Sequence, residues 1–220
     1  MKNCNAPENQ TTRRLLRIAC STALAVAFAV SLPQPAHAKH VTPPPVPSEL
    51  RVPPGNVAFL KGHGVGTQNY ICRPSGSGVK FVLFTPQATL FNDDGKQLTT
   101  HFFSPNPFEA NTDPTVVGDD MIRATWQHSR DTSTVWAQLD APPVFVTQDA
   151  IPWLRLKVPP AGGVQDGPTG GDTLTKTTFI QRVNTSGGVA PSAGCTSLAE
   201  IGNQAFVPYE ADYFFYTDAE

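Results

Sequence analysis

Charge is scarce in this chain: Asp, Glu, Lys and Arg make up only 15% of its 220 residues, 16 basic against 18 acidic. Without a cationic surplus there is little to displace counterions from phosphates, so a nucleic-acid partner is not expected. Long apolar runs are missing beyond residue 32, which excludes a chain that crosses a membrane repeatedly through helices. Room for long helices is missing too, because 22 prolines and 17 glycines punctuate the sequence. What the chain does have is aromatic bulk. Its 13 Phe, 3 Trp and 4 Tyr supply the apolar area of one core and argue against disorder.

The single apolar run, residues 18–32, follows Arg13, Arg14 and Arg17 and precedes Ala36-His37-Ala38, a small-x-small cleavage pattern. Residues 1–38 are therefore expected to be a cleaved signal peptide, leaving a mature chain that starts at Lys39 in the periplasm or outside the cell. The arginine pair resembles the twin-arginine export pattern, with ordinary Sec export the preferred route. No membrane span is expected after cleavage. Loss of the signal leaves 12 basic and 17 acidic residues, a net charge of −5 that favours solubility. The rest divides into a proline-rich arm over residues 39–54, with six prolines, and a single β domain over 55–220.

Cysteine is sparse as well. Cys4 and Cys20 leave with the signal, so Cys72 and Cys195 remain where thiols oxidise and are expected to form a disulfide bond. The bond would tie an early strand to the loop before the last strand. A thiolate nucleophile or metal ligand is the alternative, and no Cys-x-x-Cys spacing supports it.

Period-two alternation and β-branched or aromatic runs predict strands at 57–61, 65–72, 79–84, 88–91, 97–103, 121–127, 134–139, 153–158, 173–183 and 209–216. Asn92-Asp93-Asp94-Gly95 suits a hairpin turn. Ser197-Leu198-Ala199-Glu200 is a capping box stopped by Gly202, so there is at most one short helix. The expected fold is all-β: an antiparallel β-sandwich or barrel of about nine to ten strands.

Several segments carry a family resemblance. They include Gly66-Thr67-Gln68-Asn69-Tyr70-Ile71-Cys72, Thr85-Pro86-Gln87-Ala88-Thr89-Leu90-Phe91, His101-Phe102 and Ala150-Ile151-Pro152-Trp153-Leu154. Others follow in order at Gln181-Arg182-Val183-Asn184, Gly194-Cys195 and Val207-Pro208-Tyr209-Glu210-Ala211-Asp212-Tyr213. In these the chain resembles a secreted bacterial and fungal family catalogued as domain of unknown function 3455. The resemblance implies export and one domain, and brings no catalytic residues with it.

The familiar catalytic patterns fail on spacing. Pro74-Ser75-Gly76-Ser77-Gly78 has the wrong register for a nucleophile turn and reads as a hairpin loop. The glycine-rich stretch before Thr173 has Thr175 where a phosphate loop needs its second glycine, with a strand following instead of a helix. The histidines His40, His63, His101 and His128 show no metal-binding spacing, and no cofactor is expected. If a metal is bound, His101 is the best candidate, with Asp93, Asp94, Asp119 or Asp120 as acidic partners.

Candidate ligand contacts are Gln68, Tyr70, His101, Trp153, Arg182 and Asn184. Gln68 and Tyr70 share a strand face, Trp153 could stack on a sugar, and Arg182 and Asn184 stand beside a glycine turn where polar specificity is often built. The functional expectation is a non-catalytic envelope or extracellular binding or structural module, its partner a macromolecule or small ligand. The alternatives are a metal-dependent extracytoplasmic enzyme, or a small-ligand carrier if the sheet closes into a barrel.

Overall fold

The computed structural model describes residues 41–104 and 124–219. The expected signal over 1–38, His40, Asp119, Asp120, the start of the strand expected at 121–127, and nearly all of the preceding proline- and asparagine-containing loop lie outside these residues.

Nine strands follow in chain order: β1 Asn56–Ser75, β2 Gly78–Phe91, β3 Gln97–Phe103, β4 Ala124–His128, β5 Thr134–Leu139, β6 Leu154–Lys157, β7 Val164–Gln165, β8 Phe179–Gly187 and β9 Gln204–Asp218. All pair antiparallel in one sheet, ordered β4-β3-β2-β1-β9-β8-β6-β5-β7, and β4 also pairs with β5. That last pairing brings the two ends of the sheet together, so the hydrogen bonding runs round in a ring. β5 receives β4 along one edge, while β6 and β7 share its other edge at Leu139 and Val135. A ring of this kind removes most free edges, and it has an inside and an outside that alternate along each strand. Among the described residues no helix is long and apolar enough to cross a membrane.

The inside is built from complementary sizes. β9 turns Tyr209, Ala211, Tyr213 and Phe215 inward, all nearly fully buried, against Leu90, Trp126, Val135, Leu156 and Ile180 from the other strands. β1 answers these large groups with glycines. A Cβ at Gly62 would stand 2.9 Å from Leu90 Cδ2, and one at Gly64 would stand 2.8 Å from Tyr213 Cε2. A Cβ at Gly66 would meet the Gln87 carbonyl oxygen at 2.1 Å, so backbone itself fills that space. Small residues opposite large ones let a narrow ring fill without voids.

The outer face of β8 and β9 is apolar as well, through Phe179, Val183, Phe214 and Tyr216. The proline-rich segment lies on it, packing Val41, Val46 and Val52 against these rings, together with Trp153. Leu50 is completely buried, which is worth about 2 kcal/mol. Its carbonyl accepts Gln181 Nε2 at 2.5 Å, the Arg51 carbonyl accepts Arg155 Nη1 at 2.5 Å, and the Tyr216 hydroxyl donates to Gln181 Oε1. The two faces of the Tyr213-Phe214-Phe215-Tyr216 run are thus both covered, one by the ring interior and one by the arm.

Several segments differ from expectation, among them β7, which has no expected counterpart, and β9, which starts at Gln204. The strands expected at 57–61 and 65–72 are one continuous β1, because Gly62, Gly64 and Gly66 face the interior as spacers instead of breaking the strand. Those expected at 79–84 and 88–91 are one β2 that passes through Pro86, with an irregularity opposite Asn69 and Tyr70. Of the stretch 173–183, only the part from Phe179 onward is strand, because the earlier threonines bond locally: Thr177 Oγ1 donates to the Leu174 carbonyl at 2.7 Å and Thr173 Oγ1 to Asp131 at 2.5 Å. The Ser197 capping box forms, with Glu200 Oε2 accepting from the Ser197 and Thr196 backbone N–H groups at 2.9 and 2.6 Å. It caps a single 3-10 turn, Leu198–Glu200.

Candidate functional site

One layer of the ring interior is polar. Gln68 enters it from β1, His101 from β3, Arg182 from β8, and Tyr209 and Tyr213 from β9; all are at most 8% exposed. His101 lies flat on Trp126 of β4, with ring centroids 4.2 Å apart and planes 7° from parallel, and Tyr213 meets both rings edgewise, 5.4 Å from His101 and 5.8 Å from Trp126. Its Nδ1 lies 2.8 Å from the Thr125 carbonyl, so Nδ1 carries the proton of the neutral ring. The Tyr209 and Tyr213 hydroxyls share a hydrogen bond of 2.9 Å. At the margin of the layer the Tyr70 hydroxyl donates to the Gly188 carbonyl at 2.6 Å. Gly188 has φ +79°, and a Cβ there would crowd Tyr209 Cβ and Ile151 Cγ2, both at 2.9 Å.

Arg182 gives this layer its electrostatics. Its Nε and Nη2 both donate to the Pro152 carbonyl, at 3.2 and 2.9 Å. Burial pushes the hydroxyls of Tyr70, Tyr209 and Tyr213 upward, with the guanidinium charge pulling each part of the way back. Burial pulls His101 down to about 3; the bond to Thr125 opposes this and the Arg182 charge adds to it. At neutral pH the layer therefore holds one cation, three protonated phenols and a neutral imidazole.

Of the six residues expected to contact a ligand, four gather here: Gln68, Tyr70, His101 and Arg182. Trp153 does not join them, since it packs under the arm on the outer face. Asn184 stands outside too. It occupies the bulge in β8 with φ +51°, and its Nδ2 donates to Asp212 Oδ2 at 2.9 Å. The same carboxylate lies 2.8 Å from His63 Nδ1. Sequence reasoning missed Tyr209, Tyr213 and Trp126 as members of the layer. The signal was present for the tyrosines, because strand alternation places residue 209 on the face of 213.

Cys72 on β1 is bonded to Cys195, with Cα atoms 5.4 Å apart, four residues along the strand from Gln68. The bond joins β1 to the loop before β9, and Gly202 and Asn203 reinforce it through backbone hydrogen bonds with Cys72.

A second polar cluster lies in the turn between β4 and β5. Asp131 accepts from Ser133 N and Oγ at 2.9 and 2.7 Å and from Thr173 N and Oγ1 at 3.1 and 2.5 Å, and His128 Nδ1 lies 2.9 Å away. Burial alone would raise this carboxyl, but the hydrogen bonds from Thr173 and Ser133 prevail and hold it well below the usual range. Gly171 and Gly167 pack so closely on Asp131 that a Cβ would stand 2.2 Å from its Cβ and 1.7 Å from its carbonyl oxygen. The glycine-rich loop is thus stapled to this turn. His63 and His128 each meet a single carboxylate, and Asp93 pairs with Lys61 at 3.1 Å. Among the described residues no three His, Cys, Asp or Glu side chains come together as a metal site.

The fold and this layer define a disulfide-closed, all-β domain with a cationic polar belt inside a ring-like antiparallel sheet. The chain belongs to the family described as "Protein of unknown function (DUF3455)", whose pattern matches residues 53–217 and so takes in β1 through β9 and the whole polar layer. No curated protein matches the chain. No solved structure matches it either.

Proposed function

We propose that the protein is an exported β domain that binds a ligand without transforming it, and that the Arg182 layer is where the ligand is held. The observation that carries this reading is the make-up of the layer: a guanidinium, a side-chain amide and tyrosine hydroxyls gathered around a histidine that stays neutral. Such groups recognise and orient. Acid–base catalysis near neutral pH needs a group whose pKa lies near that pH, and the His101 value of about 3 is far from it. Export is supported by the Cys72–Cys195 bond, since such bonds persist in oxidising compartments, and by the signal-like character of residues 1–38. The ring of strands favours a small ligand over a macromolecular partner, because a polar belt inside a ring is out of reach of a flat protein surface. A metal-dependent enzyme built on His101 has less support, as the ring packs against Trp126 and Tyr213 with its Nδ1 proton committed to Thr125.

Native mass spectrometry of the protein exported by its own host, compared with the denatured mass of the same sample, tests this reading. The expected result is a chain that starts at Lys39, two hydrogens lighter for its disulfide, carrying a small organic adduct that is lost on denaturation. An adduct of metal mass that disappears in His101→Ala would contradict it in favour of the enzyme.

A further inference from the structure

We infer that the Arg182 layer is a subsite for an anionic group, and that the group is a carboxylate. The inference rests on the reading of this layer as a ligand site and names the chemistry the site takes.

The first observation is an unbalanced charge. Arg182 is 8% exposed, yet its partners are neutral: the Pro152 carbonyl, which accepts from Nε and Nη2, and the Tyr213 hydroxyl. The ion pairs of the described residues are Lys61 with Asp93, His63 with Asp212, His128 with Asp131 and Arg155 with Asp140, and none reaches Arg182. Buried cations in folded proteins are ordinarily paired, because an unpaired one is expensive to desolvate.

The second observation is an excess of donors. Gln68 is 2% exposed, its amide has the Tyr209 hydroxyl as its neighbouring acceptor, and its Nε2 makes no hydrogen bond of full geometry. The indole Nε1 of Trp126, stacked on His101, is also unpartnered at 1% exposure. Tyr209 and Tyr213 share one hydrogen bond, which uses one of their two hydroxyl protons and leaves the other available. Unpartnered buried groups in a native structure call for an explanation, and, Asn69 Oδ1, an acceptor, and Thr99 Oγ1 aside, those of the described residues are N–H or O–H donors. The acceptor that would satisfy them is negatively charged.

Charge and shape narrow the class. Arg182 is the only cation of the layer, so it balances one negative charge and not the two of a phosphate monoester. Its planar fork matches the two oxygens of a carboxylate.

The test is a titration of the full-length mature protein, labelled with 15N, following the Arg182 Nε–Hε resonance. The probes are sodium acetate, sodium chloride at the same ionic strength, and acetamide, the neutral isostere of acetate. Acetate should shift the Arg182 signal saturably and bind about tenfold or more tightly than acetamide, the ratio expected for one charge-assisted hydrogen bond. Gln68→Met should weaken acetate by roughly three- to tenfold. Acetate that behaves like chloride, or acetamide that binds as well as acetate, would overturn the inference. The readout is on the wild-type chain, so the outcome does not depend on whether an Arg182 variant folds. If native mass spectrometry shows an organic adduct while acetate leaves Arg182 unmoved, the anion inference fails alone and the binding reading stands.

Discussion

Two polar clusters, one inside the ring and one in the turn between β4 and β5, are built on opposite terms. Around Asp131 one anion meets four donors from Ser133 and Thr173 as well as His128, all supplied by the chain itself. Around Arg182 one cation meets only neutral acceptors, the Pro152 carbonyl and the Tyr213 hydroxyl, while Gln68 Nε2 and Trp126 Nε1 make no hydrogen bond of full geometry. A network that satisfies itself holds loops together and has nothing left to offer. A network with donors to spare costs stability, and the proposed ligand would offset that cost. The glycines tell the same story: Gly167 and Gly171 close tightly on Asp131, whereas Gly188 opens its carbonyl to Tyr70 at the rim of the Arg182 layer.

The largest expected effect separates the clusters by position. The Cys72–Cys195 bond spans 123 residues, and its removal in the double Ser variant should cost up to about 5 kcal/mol in the chain-entropy account. Hydrogen exchange should then rise in β1 from Gln68 onward and in the loop before β9, leaving the turn at Asp131 protected. Equal loss of protection at both clusters would show that they share one cooperative unit.

Next in size is Asp131→Ala, which strands four donors and should destabilise by about 3 kcal/mol in urea unfolding. A loss below about 1 kcal/mol would mean that water replaces the carboxylate, and the contrast between the clusters would collapse.

Acid should find the two clusters in different windows. His101 titrates near 3 in the folded protein and near 6.5 when unfolded, so the unfolded chain binds the extra proton and stability falls as pH drops below about 6.5, by up to roughly 1.4 kcal/mol per unit. Asp131 is held below the ordinary carboxylate range, so its contribution is complete above about pH 4 and is lost as pH falls further. Urea midpoints measured from pH 7 to pH 3 should show the first slope in the wild type and lose it in His101→Gln. Asp131→Asn should remove only the acid-side loss.

A smaller effect belongs to Tyr70→Phe, which removes the bond to the Gly188 carbonyl and should cost about 1 kcal/mol. If acetate binding also falls in this variant, Tyr70 belongs to the site and not merely to its rim.

Much of this was legible in the sequence. The strand expected at 209–216 lies within β9, the pairing expected of Cys72 and Cys195 is the disulfide, and the family segments contained Gln68, Tyr70, His101 and Arg182. What was not legible depends on partners distant in the chain. The glycines of β1 look like breaks until Leu90 and Tyr213 are seen to fill the space they leave. Thr173 and Thr177 have strand propensity, but their hydroxyls bond Asp131 and Leu174 instead. Asn184 looked like a partner of Arg182 because the two lie close in sequence. A bulge in β8 puts it on the other face, beside Asp212.

The central claim is that the Arg182 layer is kept for a ligand and not for the fold, and urea unfolding of Arg182→Met tests it most directly. The variant should lie within about 1 kcal/mol of the wild type, since the loss of donors at the Pro152 carbonyl and the Tyr213 hydroxyl is offset by relief of a desolvated charge. A loss comparable to that of Asp131→Ala would make Arg182 a structural residue and contradict the account.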